Sequence, residues 1–131
     1  MTEPIADFLV RVYYEDTDAS GVAYHANYLR WFERARTEWL RGRGYGQEKL
    51  RLEAGVAFTV SSIEIEYRKP ARLDDELRVQ TRIAELRKAS LIFEQLLVRV
   101  GGGETLTTAR VRIACVDAAT FRPKALPSGL F

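Results

Sequence analysis

The sequence predicts an α+β domain in which a five-stranded antiparallel sheet wraps around one long central helix. Three observations carry that expectation. Between Asn27 and Arg43 the large apolar residues recur at helical spacing. From Val56 onward the period of alternation drops to two, as in strands with one wet face. No stretch is rich enough in Pro, Gly or Ser to act as a linker, so residues 1–131 read as a single domain.

Phe8 to Tyr14 is β-branched and aromatic and reads as the first strand. It runs into the acidic, turn-prone segment Glu15 to Gly21. In the helix that follows, Tyr28, Trp31, Phe32, Ala35 and Trp39 share one face, and Arg30, Glu33, Arg34, Thr37, Glu38 and Arg41 take the other. Asn27 is the expected N-cap, Gly42 and Gly44 supply the stop, and Arg34 and Glu38 are spaced to pair across one turn. A stripe with two tryptophans, a tyrosine and a phenylalanine needs a broad partner, and a sheet provides one.

A shorter helical stretch is expected around Gln47 to Glu53. In Val56 to Lys69, Ile63, Ile65 and Tyr67 alternate with polar neighbours. Leu77, Val79, Thr81 and Ile83 repeat the pattern, as do Ala109, Val111, Ile113 and Cys115, with Ser90 to Val100 as the strand between. Arg87-Lys88 and Gly101-Gly-Gly103 read as turns. Strands two to five are expected to pair as antiparallel neighbours in chain order, and the segment from Ala118 onward as a loosely attached tail.

Composition excludes several functions. The chain is 47% hydrophobic and 29% charged, a globular balance, and no apolar run approaches the ~20 residues of a bilayer span. Met1 to Asp7 lacks a signal-peptide pattern, and a single cysteine cannot form an internal disulfide, so a cytoplasmic address is expected. Twenty Lys+Arg against eighteen Asp+Glu gives +2 with acids interspersed, which argues against a nucleic-acid partner. His25 is the only histidine, so neither a His-rich metal site nor a Ser-His-Asp triad is supported, and no metal or cofactor is expected. Cys115 falls on an inward strand face and reads as a structural thiol. Gly101-Gly-Gly103 lacks the Lys-Ser/Thr and following helix of a phosphate loop.

The segment that stands out lies between the first strand and the long helix. Glu15, Asp16 and Asp18 fall within four residues, just upstream of a helix start. A helix start offers free backbone N–H groups and a positive dipole end. A carboxylate beside it can be a cap, or a base or nucleophile facing an electrophile whose oxygen those N–H groups polarise. Spacing alone leaves both open, and strand parity does not separate Asp16 from Asp18.

The string Tyr13-Tyr-Glu-Asp-Thr-Asp-Ala-Ser-Gly-Val-Ala-Tyr-His-Ala-Asn-Tyr-Leu-Arg-Trp-Phe-Glu-Arg-Ala-Arg36 resembles the hotdog-fold family of 4-hydroxybenzoyl-CoA thioesterase. Its Tyr-His-Ala-Asn-Tyr form is most similar to the acyl-CoA thioesterase subgroup associated with Tol–Pal gene clusters. The resemblance extends to Tyr67-Arg-Lys-Pro70 and, more weakly, to the whole chain. It implies a hotdog fold and hydrolysis of a small acyl-CoA, with Asp18 rather than Asp16 as general base or nucleophile. It implies that the backbone N–H at His25 receives the thioester oxygen and that the His25 side chain lines the site. Tyr14 and Tyr24 would shape the acyl pocket and Asn27 would brace the loop. The resemblance also implies subunits that pair so that two sheets become one, with the active site at the seam of a homodimer or a tetramer. An acyl carrier protein is a further possible partner. Arg68 and Lys69, with Arg72, Arg87 and Lys88, are candidates for the coenzyme A phosphates, against a reading as solvated charge. Two rivals stand beside this. One is a dehydratase or hydratase, whose motif context is missing. The other is a non-hydrolytic module that binds acyl-CoA or acyl carrier protein.

Overall fold

The computed structural model describes residues 6–128; Met1 to Ile5 and Gly129 to Phe131 lie outside the described residues. The element order is β1 (Ala6–Arg11), α1 (His25–Gly42), α2 (Gln47–Lys49), β2 (Val56–Tyr67), β3 (Glu76–Leu86), β4 (Ser90–Arg99) and β5 (Thr105–Asp117). The first strand ends at Arg11, short of the expected Tyr14, which lies instead in a 3₁₀ turn at Tyr14–Asp16, and α2 continues as a π-type turn through Leu50–Ala54. Every strand pairing is antiparallel, in the order β1-β3-β4-β5-β2.

That order corrects the expectation of pairing in chain order. β3, β4 and β5 do form a meander, because Arg87 to Ala89 and Val100 to Glu104 close as short turns. The eight residues between β2 and β3 (68–75) are too many for a tight hairpin and contain Pro70. They carry the chain across the sheet, so β2 pairs with β5 and leaves the far side of β3 to β1. Both β1 and β2 are therefore edges.

One sheet face is covered by α1. Tyr28, Trp31, Phe32, Ala35 and Trp39 are all buried, against Leu77, Val79, Leu91, Phe93, Leu97, Val111 and Ile113. Each of the Val, Leu, Ile and Phe side chains among them contributes about 1.5–3 kcal/mol when fully removed from water. Two aromatic pairs add directional packing: Trp39–Phe93 at 5.4 Å edge-on, and Tyr28–Trp31 at 5.2 Å. Gly44, at φ +86°, turns the chain out of the helix end.

The helix face carries one exception to the apolar pattern. Arg36 is buried, and its Nη1 donates to Gln95 Oε1 at 3.0 Å. The Gln95 amide in turn donates to the Phe32 carbonyl and the Thr81 hydroxyl, both at 3.0 Å. The expected Arg34–Glu38 pair does not form: Glu38 pairs with Arg41 on the following turn.

The tail also departs from expectation. Ala118 N–H bonds Gly55 C=O, Lys124 N–H bonds Cys115 C=O, and Leu126 N–H bonds Lys88 C=O at 2.8 Å. Leu126 covers a small second cluster of Leu50, Val56 and Cys115. Cys115 is buried as expected, and burial pushes its thiol up. Among the described residues no helix is long and apolar enough to cross a membrane, and no cluster of His, Cys, Asp and Glu could hold a metal ion.

Candidate active site

The acidic segment leaves β1 through the 3₁₀ turn and reaches the helix by a small backbone bridge between Thr17 and Ala23. At its tip Gly21 N–H bonds Asp18 C=O, and Gly21 adopts φ +81°, a conformation that favours glycine. The base of the segment is held by Ala23 N–H to Ala71 C=O at 2.8 Å and Tyr24 N–H to Asp16 C=O at 2.8 Å.

The two aspartates that parity could not separate have different surroundings. Asp16 spends both oxygens on structure: Oδ2 accepts from Tyr13 N–H and Oδ1 from Asn27 Nδ2, each at 2.8 Å. Asp18 is exposed. Its Oδ1 accepts from Ser20 N–H at 2.8 Å and the Ser20 hydroxyl at 2.5 Å, and no donor among the described residues reaches Oδ2. The Ser20 hydroxyl, then its N–H, hold the Asp18 carboxyl below the ordinary carboxylate range, with a smaller contribution from His25. Asp18 is thus an ionised, water-facing carboxylate with one oxygen fixed and one open.

The helix is capped three residues earlier than the expected Asn27. Tyr24 is the N-cap and makes no side-chain capping bond. Asn27 sits inside the first turn, buried, and its side chain reaches back to Asp16. The bond it was expected to make as a cap is made instead to the loop. The N–H groups of His25 and Ala26 find no acceptor among the described residues. That leaves two backbone donors and the positive end of an 18-residue helix open toward solvent.

Tyr67 fixes this helix start from outside. Its hydroxyl donates to His25 C=O at 3.0 Å, and its ring stands edge-on to Tyr28 at 5.1 Å and to His25 at 6.3 Å. The Tyr28 hydroxyl accepts from Ala71 N–H at 2.9 Å. His25 and Tyr24 have ring centroids 4.6 Å apart. Tyr24 is 46% exposed and Tyr14 82% exposed, so neither is enclosed by this one chain. Arg68 lies 3.5 Å from Glu66, and Lys69 pairs with Glu104 at 2.7 Å. Both are exposed and each already has an acid beside it.

The model of the thioesterase-like superfamily matches residues 12–130. The chain belongs to this superfamily. The acyl-CoA thioesterase YbgC of Haemophilus influenzae is 49% identical to this thioesterase-like protein over 120 residues, 92% of this chain and 87% of the relative. The acyl-CoA thioester hydrolase YbgC of Escherichia coli O6:H1 is 49% identical over 121 residues, 92% and 89% of the two chains. Among solved structures, a probable thioesterase from Bartonella henselae superposes with a TM-score of 0.87 at 40% identity, covering 95% of this chain and 100% of that one. The hotdog fold and the family implied by the Tyr13–Arg36 string are both found.

Sequence reasoning did not single out Ser20 or the Tyr67 hydroxyl in this thioesterase-like protein. Ser20 had a usable signal, since Asp-x-Ser favours a local turn in which the aspartate accepts from the residue two ahead. Tyr67 had none, because its partner is a backbone carbonyl 42 residues away.

Proposed function

We propose that this protein is an acyl-CoA thioesterase in which Asp18 activates water, or attacks directly, while the His25 and Ala26 N–H groups stabilise the oxyanion. The observation that carries this reading is an ionised Asp18 with one free oxygen, in the loop that delivers the chain to an uncapped helix start. As general base, Asp18 removes a proton from water as its oxygen adds to the thioester carbon. The carbonyl oxygen becomes an oxyanion and accepts from the open N–H groups. Collapse breaks the C–S bond, and the coenzyme A thiolate recovers the proton from Asp18. A positioned base contributes about 10²–10⁴-fold, and one preorganised donor about 3 kcal/mol. A thioester is electrophilic enough to need no more.

An acyl-CoA substrate is supported by the names of relatives 49% identical over most of the chain; small acyl groups are the preference that the resemblance of the Tyr13–Arg36 string implies. The single reduced Cys115 fits a cytoplasmic setting. A second copy of the chain completes the site. β2 is a 12-residue edge with one hydrogen-bonding side unpaired among the described residues, and Val60, Ile63 and Tyr67 are exposed along it. Pairing β2 with β2 of a second copy joins the two sheets and brings a wall beside the open aromatic faces of Tyr14 and Tyr24.

The test is thiol release from a panel of acyl-CoAs, comparing wild type with Asp18→Asn and Asp16→Asn. Loss of turnover in Asp18→Asn with coenzyme A binding retained is the expected result. Asp16→Asn should instead lower stability and reduce turnover only partly. Binding without turnover on every substrate would move the protein to a non-hydrolytic acyl-CoA or acyl-carrier-protein module.

A further inference from the structure

A groove of ≈ 330 Å³ runs between α1 and β2, lined by Leu29, Glu33, Arg36 and Leu40 from the helix and by Val60 and Ile63 from the strand. Its apolar walls are open: Leu29 and Ile63 are each 38% exposed and Val60 is 47% exposed. Its two charges, Glu33 and Arg36, act on each other along the helix but make no close ion pair among the described residues. Arg36 is a buried guanidinium whose one hydrogen bond goes to a neutral amide, and no carboxylate pairs with it among the described residues. Removal from water disfavours its charged form, only partly offset by Glu33 one turn back. Glu33 is exposed and makes no hydrogen bond or ion pair among the described residues. A buried charge held by a single neutral partner is costly and calls for a counter-ion.

We infer that Glu33 and Arg36 form two reciprocal ion pairs across a two-fold axis between copies of this chain, Glu33 of each facing Arg36 of the other. This rests on the proposed pairing of β2 edges. A two-fold axis that pairs an edge strand with itself runs the two α1 helices antiparallel. Each residue is then opposed by the one equally far beyond the axis. An axis passing between Arg34 and Ala35 sets Glu33 against Arg36 of the second copy. The two charges of the groove are therefore self-complementary, with acid opposite base.

The strand agrees with the helix on where that axis lies. Tyr67 is bonded to His25, which ties the end of β2 to the start of α1. From His25 to the midpoint between Arg34 and Ala35 is about 14 Å of helix, which corresponds to about four residues of strand. Four residues back from Tyr67 is Ile63, near the middle of the 12-residue edge. One axis can thus serve both elements, and the paired charges fix the register with which the two edges meet.

The experiment is a charge-swap complementation followed by sedimentation and native mass spectrometry. Glu33→Arg sets two like-charge encounters across the axis, and its dissociation constant should rise by at least about tenfold over wild type. Arg36→Glu should do the same. An equimolar mixture of the two should form one-to-one heterodimers in preference to either homodimer, since both encounters are then attractive. If Arg36→Glu does not fold, Glu33→Arg/Arg36→Gln removes the facing charge and should recover most of the lost affinity. Glu33→Arg associating as tightly as wild type would overturn the ion pair while leaving the strand pairing intact. Wild type that stays monomeric at hundreds of micromolar would overturn the strand pairing, and the ion pair with it.

Discussion

The Tyr67 hydroxyl donates to the main-chain carbonyl of His25 at 3.0 Å, joining the last residue of an edge strand to the first residue of the central helix. Because the carbonyl belongs to the same residue as an open N–H donor, the bond restrains the peptide units on either side of His25. Tyr67→Phe removes the donor and keeps the ring. The expected outcome is a stability loss of about 1 kcal/mol, and a fall in kcat larger than any change in KM. Steady-state kinetics beside a urea melt check both. Equal loss in KM alone would mean that Tyr67 only shapes the binding surface.

With Asp18 as the proposed base, Ser20 should set the acid limb of the pH profile. Its hydroxyl and N–H favour ionised Asp18, so the Asp18 pKa lies below its ordinary value. A base works only when deprotonated, so activity is present above that pKa and disappears as pH falls through it. Ser20→Ala deletes the larger of the two hydrogen bonds and should move the acid limb to higher pH, with activity near pH 8 little changed. A limb that does not move would assign it to another group.

The buried polar network should respond to substitution non-additively. Gln95→Leu strands both the Arg36 guanidinium and the Thr81 hydroxyl, and is expected to cost about 3–5 kcal/mol. Gln95→Leu combined with Arg36→Met removes the stranded charge, so the double variant should be more stable than Gln95→Leu alone. Chemical denaturation of the three variants forms the cycle that tests this.

The final segment is a structural strap. Leu126→Ala removes partly buried apolar surface over Leu50, Val56 and Cys115 and should cost about 1–2 kcal/mol, lowering Tm by about 5 °C. It should also make the Cys115 thiol react faster with a thiol reagent, since that cluster buries it. A melting temperature equal to wild type would show that the backbone bonds alone hold the strap.

Much of this was legible in the sequence because it depends on local pattern. The stripe Tyr28, Trp31, Phe32, Ala35 and Trp39 announces a helix against a sheet, and the alternation in β3 and β5 names their buried faces correctly. What periodicity cannot encode is partner choice. β2 alternates in the same way whether it pairs with β3 or β5, and only the length of the 68–75 connection hinted at the crossing. The site divides along the same line. Asp16 and Asp18 were both legible as candidates, and only the resemblance of the string prefers Asp18. That Asp16 is occupied by Asn27 and the Tyr13 N–H follows from contacts up to 11 residues apart, which spacing does not report. Arg36 sits at a position of the helix that composition alone would assign to solvent. Its burial becomes visible only when Gln95, 59 residues away, is brought against it.

The sheet order also has a consequence in time. Val56 pairs with Asp117 and Tyr67 with Thr107, so β2 has no strand partner of its own chain until β5 has been made. At about 5–20 residues per second on the ribosome, a 12-residue strand with exposed Val60 and Ile63 waits several seconds for it. During that interval its company is the helix made just before it, through contacts such as Tyr67 with His25. A nascent chain stalled before Thr105 would carry the Asp18 loop and the helix complete, but would still lack the strand that holds β2 beside them.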